Sequence, residues 1–149
     1  MFEEEALITI KKDDLLDRVR GMADGGYRLV QIGCTPLEEF QLDYSFDLDG
    51  KFVDLRVMLP REKAHEKAVL PSLTGIYLCA FPYENELHDL FGITVTDLAV
   101  DYGGNFYRTA SRPPMPPPAA VTDDKKPPLQ NTEQKKTDET TKDTKDPEK

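Results

Sequence analysis

The chain has 149 residues, a formal net charge of -9 and a pI near 4.7, with 38% hydrophobic and 32% charged residues. An acidic chain with no basic stripe and no interleaved aromatics is repelled by phosphate backbones, so nucleic acid is excluded as a direct partner. No apolar run approaches the roughly 18 residues of a membrane-spanning helix, and "MFEEEALITI" is acidic where a signal peptide would be basic.

The composition divides the chain. All seven Phe and all six Tyr lie at or before position 107, whereas eight of the twelve prolines lie at or after 113. Residues 1–112 hold 20 acids against 12 bases; residues 113–149 hold 8 against 7. The expected organisation is one domain over 1–112, followed by a proline-rich arm and a charged tail over 113–149. Only about 110 residues are then available for a core, enough for one small domain.

"ALITI" (6–10) reads as a short strand. In "KKDDLLDRVRGMADGG", Leu15, Leu16, Val19 and Met22 recur at helical spacing, Asp13 or Asp14 can serve the first turn, and Gly25–Gly26 ends it. "YRLVQIG" is the next strand, with Tyr27, Leu29 and Gln31 expected on one side. Cys34 and Cys79 stand 45 positions apart with no CxxC array, which points to two buried free thiols in a reducing compartment.

"EFQLDYSFDL" alternates Phe40, Leu42, Tyr44 and Phe46 with polar residues, so it reads as a half-buried strand with its apolar face on the even positions. Asp49–Gly50 supplies a hairpin turn, and "KFVDLRVMLP" returns with Phe52, Val53, Leu55, Val57 and Leu59 until Pro60 stops it. "REKAHEKAV" is compatible with a turn or two of exposed helix carrying His65, or with a charged loop.

In "PSLTGIYLCAFPYENELHDLFGI", Ser72 can cap a first turn, and Pro82 either begins a helix or kinks a longer one. Tyr83, Leu87, Leu90 and Phe91 recur at +4, +7 and +8 as one buried face; Gly92 stops the helix and "ITVT" is a short edge strand. After Arg112, "PPMPPP" is polyproline material, and the lysine–acid remainder has one Leu and no aromatic. Such a segment cannot offset its ordering entropy by burial, so disorder in isolation is expected, with the first part able to dock along a partner.

Chemistry, if any, centres on "YENELHDLFGI". Glu84 and His88 are four apart and share a helix face; Glu86 and Asp89 form a second pair displaced around it. A durable metal site needs three or four converging ligands, and His65 has no ligand spacing around it. Paired carboxylates can do acid–base work, but no phosphate-cradling loop, nucleophile elbow or HExxH accompanies them. Structural anchoring uses the same residues more completely: Glu84 with His88 inside the helix, and Glu86 with Asp89 holding Arg56 or Arg108 or capping a backbone turn. In "DYGGNFYRT", Tyr102, Phe106, Tyr107 and Arg108 surround a Gly–Gly turn and are residue types that anchor protein interfaces. A loop packed on its own domain uses them equally well.

The stretch Leu70–Ile93 resembles the signature of the 30 kDa subunit family of respiratory NADH dehydrogenase (complex I) and related hydrogenases. Its Pro-Ser-hydrophobic-Thr element falls on Pro71, Ser72, Leu73 and Thr74, and its Glu-x-Glu-x-x-Asp-x-x-Gly-Ile element on Glu84, Glu86, Asp89, Gly92 and Ile93. The resemblance covers about residues 5–112. Tyr77 and Tyr83 stand where tryptophans are frequent in the family, and Asn85 where arginine is common. The chain also has "ITVTDLAVDYGGNFYRTA" in place of a His-Pro-x-Leu-Arg-Arg segment. These departures point away from a quinone-reducing complex I, and in its shortness and its "AVDYGGNFYRT" passage the chain is similar to the small subunit of an Ech-type energy-converting nickel–iron hydrogenase.

The resemblance implies an α/β (α+β) fold, a mixed, partly antiparallel sheet with a central hairpin covered by helices and followed by an extended, disordered tail. It implies a subunit with no cofactor of its own, on the cytoplasmic face of the membrane. The expected partners are a large catalytic subunit holding nickel and iron, small subunits holding iron–sulfur clusters and, through them, integral membrane subunits. The whole complex would take electrons from ferredoxin and couple proton reduction to ion translocation. The alternatives are the equivalent scaffold of a complex I-type quinone oxidoreductase or formate hydrogenlyase, and a small independent acid–base enzyme built on Glu84, Glu86, His88 and Asp89.

Overall fold

The computed structural model describes residues 4–61 and 68–110. Its centre is the predicted hairpin. Asp49 and Gly50 both take positive φ, 52° and 85°, the pair of left-handed residues that a two-residue type I′ turn requires. This turn joins β3 (Phe40–Leu48) to β4 (Lys51–Leu59), antiparallel from Leu48↔Lys51 to Phe40↔Leu59. With the register set, Phe40, Leu42, Tyr44 and Phe46 lie beside Leu59, Val57, Leu55 and Val53 on one face, and all but the half-buried Val53 are buried. Phe52 falls on the opposite face with Asp54, Arg56 and Met58.

β1 (Glu4–Ile10) lies parallel to β4, and β2 (Arg28–Pro36) antiparallel to β3, giving the order β1-β4-β3-β2. Between them α1 (Leu15–Asp24) carries the chain from one edge to the other, burying Leu15 and Val19. Asp14 sits at its N-cap without a side-chain cap bond, and Gly26, with φ 81°, reverses the chain after it. β2 departs from strict alternation. Its register shifts between Leu29 and Gln31, so Val30 is an extra residue and the phase flips. Leu29 and then Ile32 and Cys34 join the core, whereas Gln31 is exposed, contrary to the alternation read from the sequence.

The second helix, α2 (Phe81–Phe91), follows a 3-10 turn at Leu78–Ala80, and Pro82 begins it rather than kinking a longer one. It ends at Gly92, φ 72°, with the Ile93 N–H on the Leu87 carbonyl at 3.3 Å, a Schellman closure. "ITVT" contributes β6 (Thr94–Thr96), which does not join the edge of the main sheet. It pairs in parallel with β5 (Val69–Pro71) in a separate two-stranded sheet. The helices and this small sheet cover one face of the four-stranded sheet with Leu70, Leu73, Ala80, Leu87 and Ile93, and its other face carries no helix among the described residues.

This is the expected α+β architecture. Both cysteines are free, but only Cys34 is partly enclosed; Cys79 is exposed, which corrects the expectation of two buried thiols. His65 and the 113–149 segment fall outside the described residues. Among the described residues no helix is long and apolar enough to cross a membrane.

Candidate functional site: the polar face of helix α2

Helix α2 is buried on two sides. Leu87 and the half-buried Tyr83 and Phe91 face the sheet, as their spacing predicts, whereas Leu90, expected on the same face, lies outside the core cluster; Glu84, Asn85 and Asp89 are buried as well, at 2%, 1% and 6% exposure. Buried polar groups persist only where they are hydrogen-bonded. Two segments supply the partners: the turn after β5 and the loop after β6.

The turn begins where Pro71 ends β5, and the Ser72 N–H continues the ladder to the Thr96 carbonyl at 2.9 Å. Glu84 reaches back to it. One carboxylate oxygen accepts the Leu73 N–H and the other the Ser72 hydroxyl, both at 2.6 Å. Ser72 Oγ also accepts the Thr74 N–H at 3.0 Å and lies 2.6 Å from the Thr74 hydroxyl oxygen. With the Ser72 proton directed at Glu84, Thr74 is the donor in that contact, and its oxygen accepts the Ala99 N–H at 3.1 Å. A relay Ala99–Thr74–Ser72–Glu84 thus ties the loop, the turn and the helix together. Burial raises the Glu84 pKa, opposed by the bonds from Leu73 and Ser72.

The loop is held by the next turns of the same helix. The Asn85 amide nitrogen donates to the carbonyls of Phe81 at 2.7 Å and Val100 at 2.8 Å, and its oxygen accepts the Tyr102 N–H at 2.9 Å. Asp89 accepts the Tyr107 N–H at 2.7 Å, and Glu86 accepts the Tyr107 hydroxyl at 2.9 Å, which raises that phenol's pKa. Gly103 and Gly104 supply the positive φ of the reversal between them, 58° and 77°, and Asp101 accepts the Gly103 N–H at 2.7 Å. Tyr102, Phe106 and Tyr107 pack ring against ring in sequence, the first pair tilted and the second edge-to-face, with centroids 5.3 and 4.9 Å apart. Tyr102 and Tyr107 remain 46% and 38% exposed, and Arg108 is exposed with no ion pair among the described residues.

These contacts correct one sequence expectation and decide another. Glu84 does not pair with His88: Glu84 turns into the protein toward Ser72, while the partly exposed His88 lies 3.3 Å from Asp89. Of the alternatives for Glu86 and Asp89, holding Arg56 fails, because Arg56 forms a two-bond pair with Asp43 across β3 and β4 at 2.7 and 3.1 Å. The capping alternative is the one seen: Asp89 takes the Tyr107 N–H and Glu86 its hydroxyl. Asn85 is the anchor that sequence reasoning missed. Its only signal was a polar residue four positions before Asp89, on the side of the helix away from the apolar stripe.

The four polar residues do not converge. Glu84 faces the turn and Glu86 and Asp89 face the loop, and among the described residues no three His, Cys, Asp or Glu side chains are grouped to hold a metal ion. Burial pushes the Cys34 thiol up to about 12, which removes it as a nucleophile near neutral pH.

Comparison with curated proteins gives no match. Among solved structures the chain is similar to one from the membrane-bound sulfane sulfur reductase, an archaeal respiratory membrane complex. Identity is 23% and the TM-score 0.62, over 68% of this chain and 62% of that one. The chain thus spans less than two thirds of that subunit, and the likeness concerns the fold. The family described as "Respiratory-chain NADH dehydrogenase, 30 Kd subunit" matches residues 8–100, which is 93 of the 149 positions. The chain belongs to the family of the 30 kDa subunit of respiratory-chain NADH dehydrogenase.

Proposed function

We propose that this chain is a non-catalytic subunit in the peripheral arm of a membrane-bound, energy-converting nickel–iron hydrogenase, where it holds the large catalytic subunit. One observation carries the reading. Glu86 and Asp89 of the signature, with Asn85 between Glu84 and Glu86, are spent on positioning a loop that presents Tyr102, Tyr107 and Arg108 outward. Rigid aromatic side chains beside an exposed arginine form a low-entropy interface anchor. Electrons pass from ferredoxin through iron–sulfur clusters in small partner subunits to nickel and iron in the large one. The complex sits on the cytoplasmic face of the membrane, and this chain contributes shape and grip.

The fold likeness to a subunit of an archaeal respiratory membrane complex supports a second reading, the same scaffold role in another membrane-bound respiratory assembly. Complex I-type and formate-linked assemblies belong to that reading. Affinity purification of the tagged chain from native membranes tests both. Recovery of a nickel-containing large subunit with antiporter-like membrane subunits is the expected result. Recovery with a flavin-bearing NADH module and no nickel supports the complex I-type version of the second reading, and turnover by the chain alone overturns both.

A further inference from the structure

The two edges of the four-stranded sheet are finished differently. At the β2 edge the strand is interrupted by its bulge at Val30 and ends in Pro36, which has no N–H to offer. The carbonyls of Tyr27 and Val30 there are occupied by the hydroxyls of Tyr77 at 2.6 Å and Tyr83 at 3.0 Å. Bulges, prolines and covering side chains are how sheets prevent unwanted strand addition.

The β1 edge has none of these devices. Its seven residues run in unbroken register with β4, from Glu4↔Lys51 to Ile10↔Val57, with no Pro, Gly or bulge. Among the described residues, nothing hydrogen-bonds to the side of β1 that faces away from β4. Apolar side chains are uncovered on both of its faces. Leu7, beside Asp54, is 53% exposed on the open side, and Ile8, beside Leu55, is 39% exposed on the helix side. Ile10, at the end of the strand, does pack against the core, but a strand with one unpaired edge and apolar side chains left exposed beside it has room for a further neighbour.

We propose that the β1 edge receives a strand from the subunit on which this chain docks, extending the sheet by backbone hydrogen bonding. The inference rests on the subunit reading above. The charge pattern defines the occupant: Glu5 lies near the start of the strand, and Lys11 and Lys12 follow its end. The incoming segment is extended and aliphatic where it flanks Leu7 and Ile8, basic opposite Glu5 and acidic opposite Lys11. A second copy running antiparallel also satisfies the charges, but size argues against it. One edge of seven residues is a strip roughly 24 Å long and about 10 Å deep, well short of the roughly 1,200 Å² that stable dimers bury. A partner larger than this chain makes up the difference with contacts outside β1.

The test compares amide hydrogen exchange over residues 4–10 in the free full-length chain and in the complex purified with its large subunit. Exchange of the outward amides slowing by about tenfold or more on assembly is the expected result. The Ala6→Lys variant, which puts a charge on the edge strand, should reduce recovery of the large subunit by about tenfold while the hairpin retains its protection in the free chain. Unchanged β1 exchange in an otherwise intact wild-type complex overturns this inference alone. Homodimerisation of the free chain that protects β1 also overturns it, by assigning the edge to a second copy. Absence of a large subunit from the wild-type preparation overturns the subunit reading, and the partner strand with it.

Discussion

The Ser72 hydroxyl donates to the Glu84 carboxylate at 2.6 Å across twelve positions of sequence, and that contact is the hinge pin between the signature turn and helix α2. The same carboxylate takes the Leu73 N–H, so both its oxygens are engaged by neutral donors, with no ion pair to either among the described residues. A carboxylate in this setting shapes the chain around itself, with a donor from the turn already on each oxygen.

Glu84→Ala should destabilise the domain by about 3 kcal/mol, because two buried donors lose their acceptor and a void is left. Glu84→Gln should cost about 1 kcal/mol, since the carboxamide keeps an acceptor for Leu73 and can donate to Ser72 Oγ. Urea denaturation of the two variants against wild type measures both.

The pH dependence of stability separates Glu84 from Asp47. The Glu84 pKa is raised by burial, so the folded chain holds that proton more tightly than the unfolded one. Its contribution is fully present below the free-glutamate value of about 4.3 and declines as pH rises through the folded pKa. Asp47 has the opposite sign: the Arg28 guanidinium at 2.8 Å, aided by the Gly50 N–H, holds its carboxyl below the usual range despite burial. Its contribution is present above the free-aspartate value of about 3.9 and is lost as pH falls through the folded pKa. Denaturation midpoints across pH should therefore lose the fall with rising pH in Glu84→Gln and part of the acid-side loss in Asp47→Asn.

Asn85→Ala should cost about 3 kcal/mol, because the Val100 carbonyl and the Tyr102 N–H lose a buried partner together. The loss is local as well as global: exchange of the Tyr102 amide should accelerate more than that of the β3–β4 hairpin. Equal acceleration in both would show that the side chain supports the fold without specifically holding the loop.

Substituting Tyr107 and Arg108 together by alanine should weaken co-purification with the large subunit while the isolated domain stays folded. Tyr107→Phe, which removes only a part-exposed bond to Glu86, should change stability by no more than about 0.5 kcal/mol. Loss of folding in the double variant, read by circular dichroism, would place these residues in the domain's own stability.

Thiol labelling at neutral pH should modify Cys79 quickly and Cys34 slowly. Cys79 is exposed, and burial keeps the Cys34 thiol protonated. A mass shift of one label on the native chain and two on the unfolded chain checks it.

Much of the architecture is legible from local pattern because a pleated strand and a helix impose fixed periods. The even positions of β3, the Asp49–Gly50 reversal and the Gly92 stop follow from alternation, turn chemistry and the left-handed conformation glycine tolerates. The bulge at Val30 is not legible, since one extra residue in a run of similar side chains leaves no compositional trace. Charge pairing that crosses elements is not legible either: Arg56 pairs with Asp43 because β3 and β4 lie side by side, not because either residue advertised the other.

The amino-acid order alone determined which segments would be strand or helix, where the apolar faces lay, and that Glu84, Glu86 and Asp89 stand in a stretch that resembles a family signature. Only the folded chain decided what those carboxylates touch, that Asn85 and not His88 completes the set, and that, among the described residues, one sheet edge is sealed while the other is open. The reason is physical. Periodicity reports how a residue sits on its own element, whereas a hydrogen bond between residues 72 and 84 or 85 and 102 exists only once long-range packing has placed two elements within about 3 Å of each other.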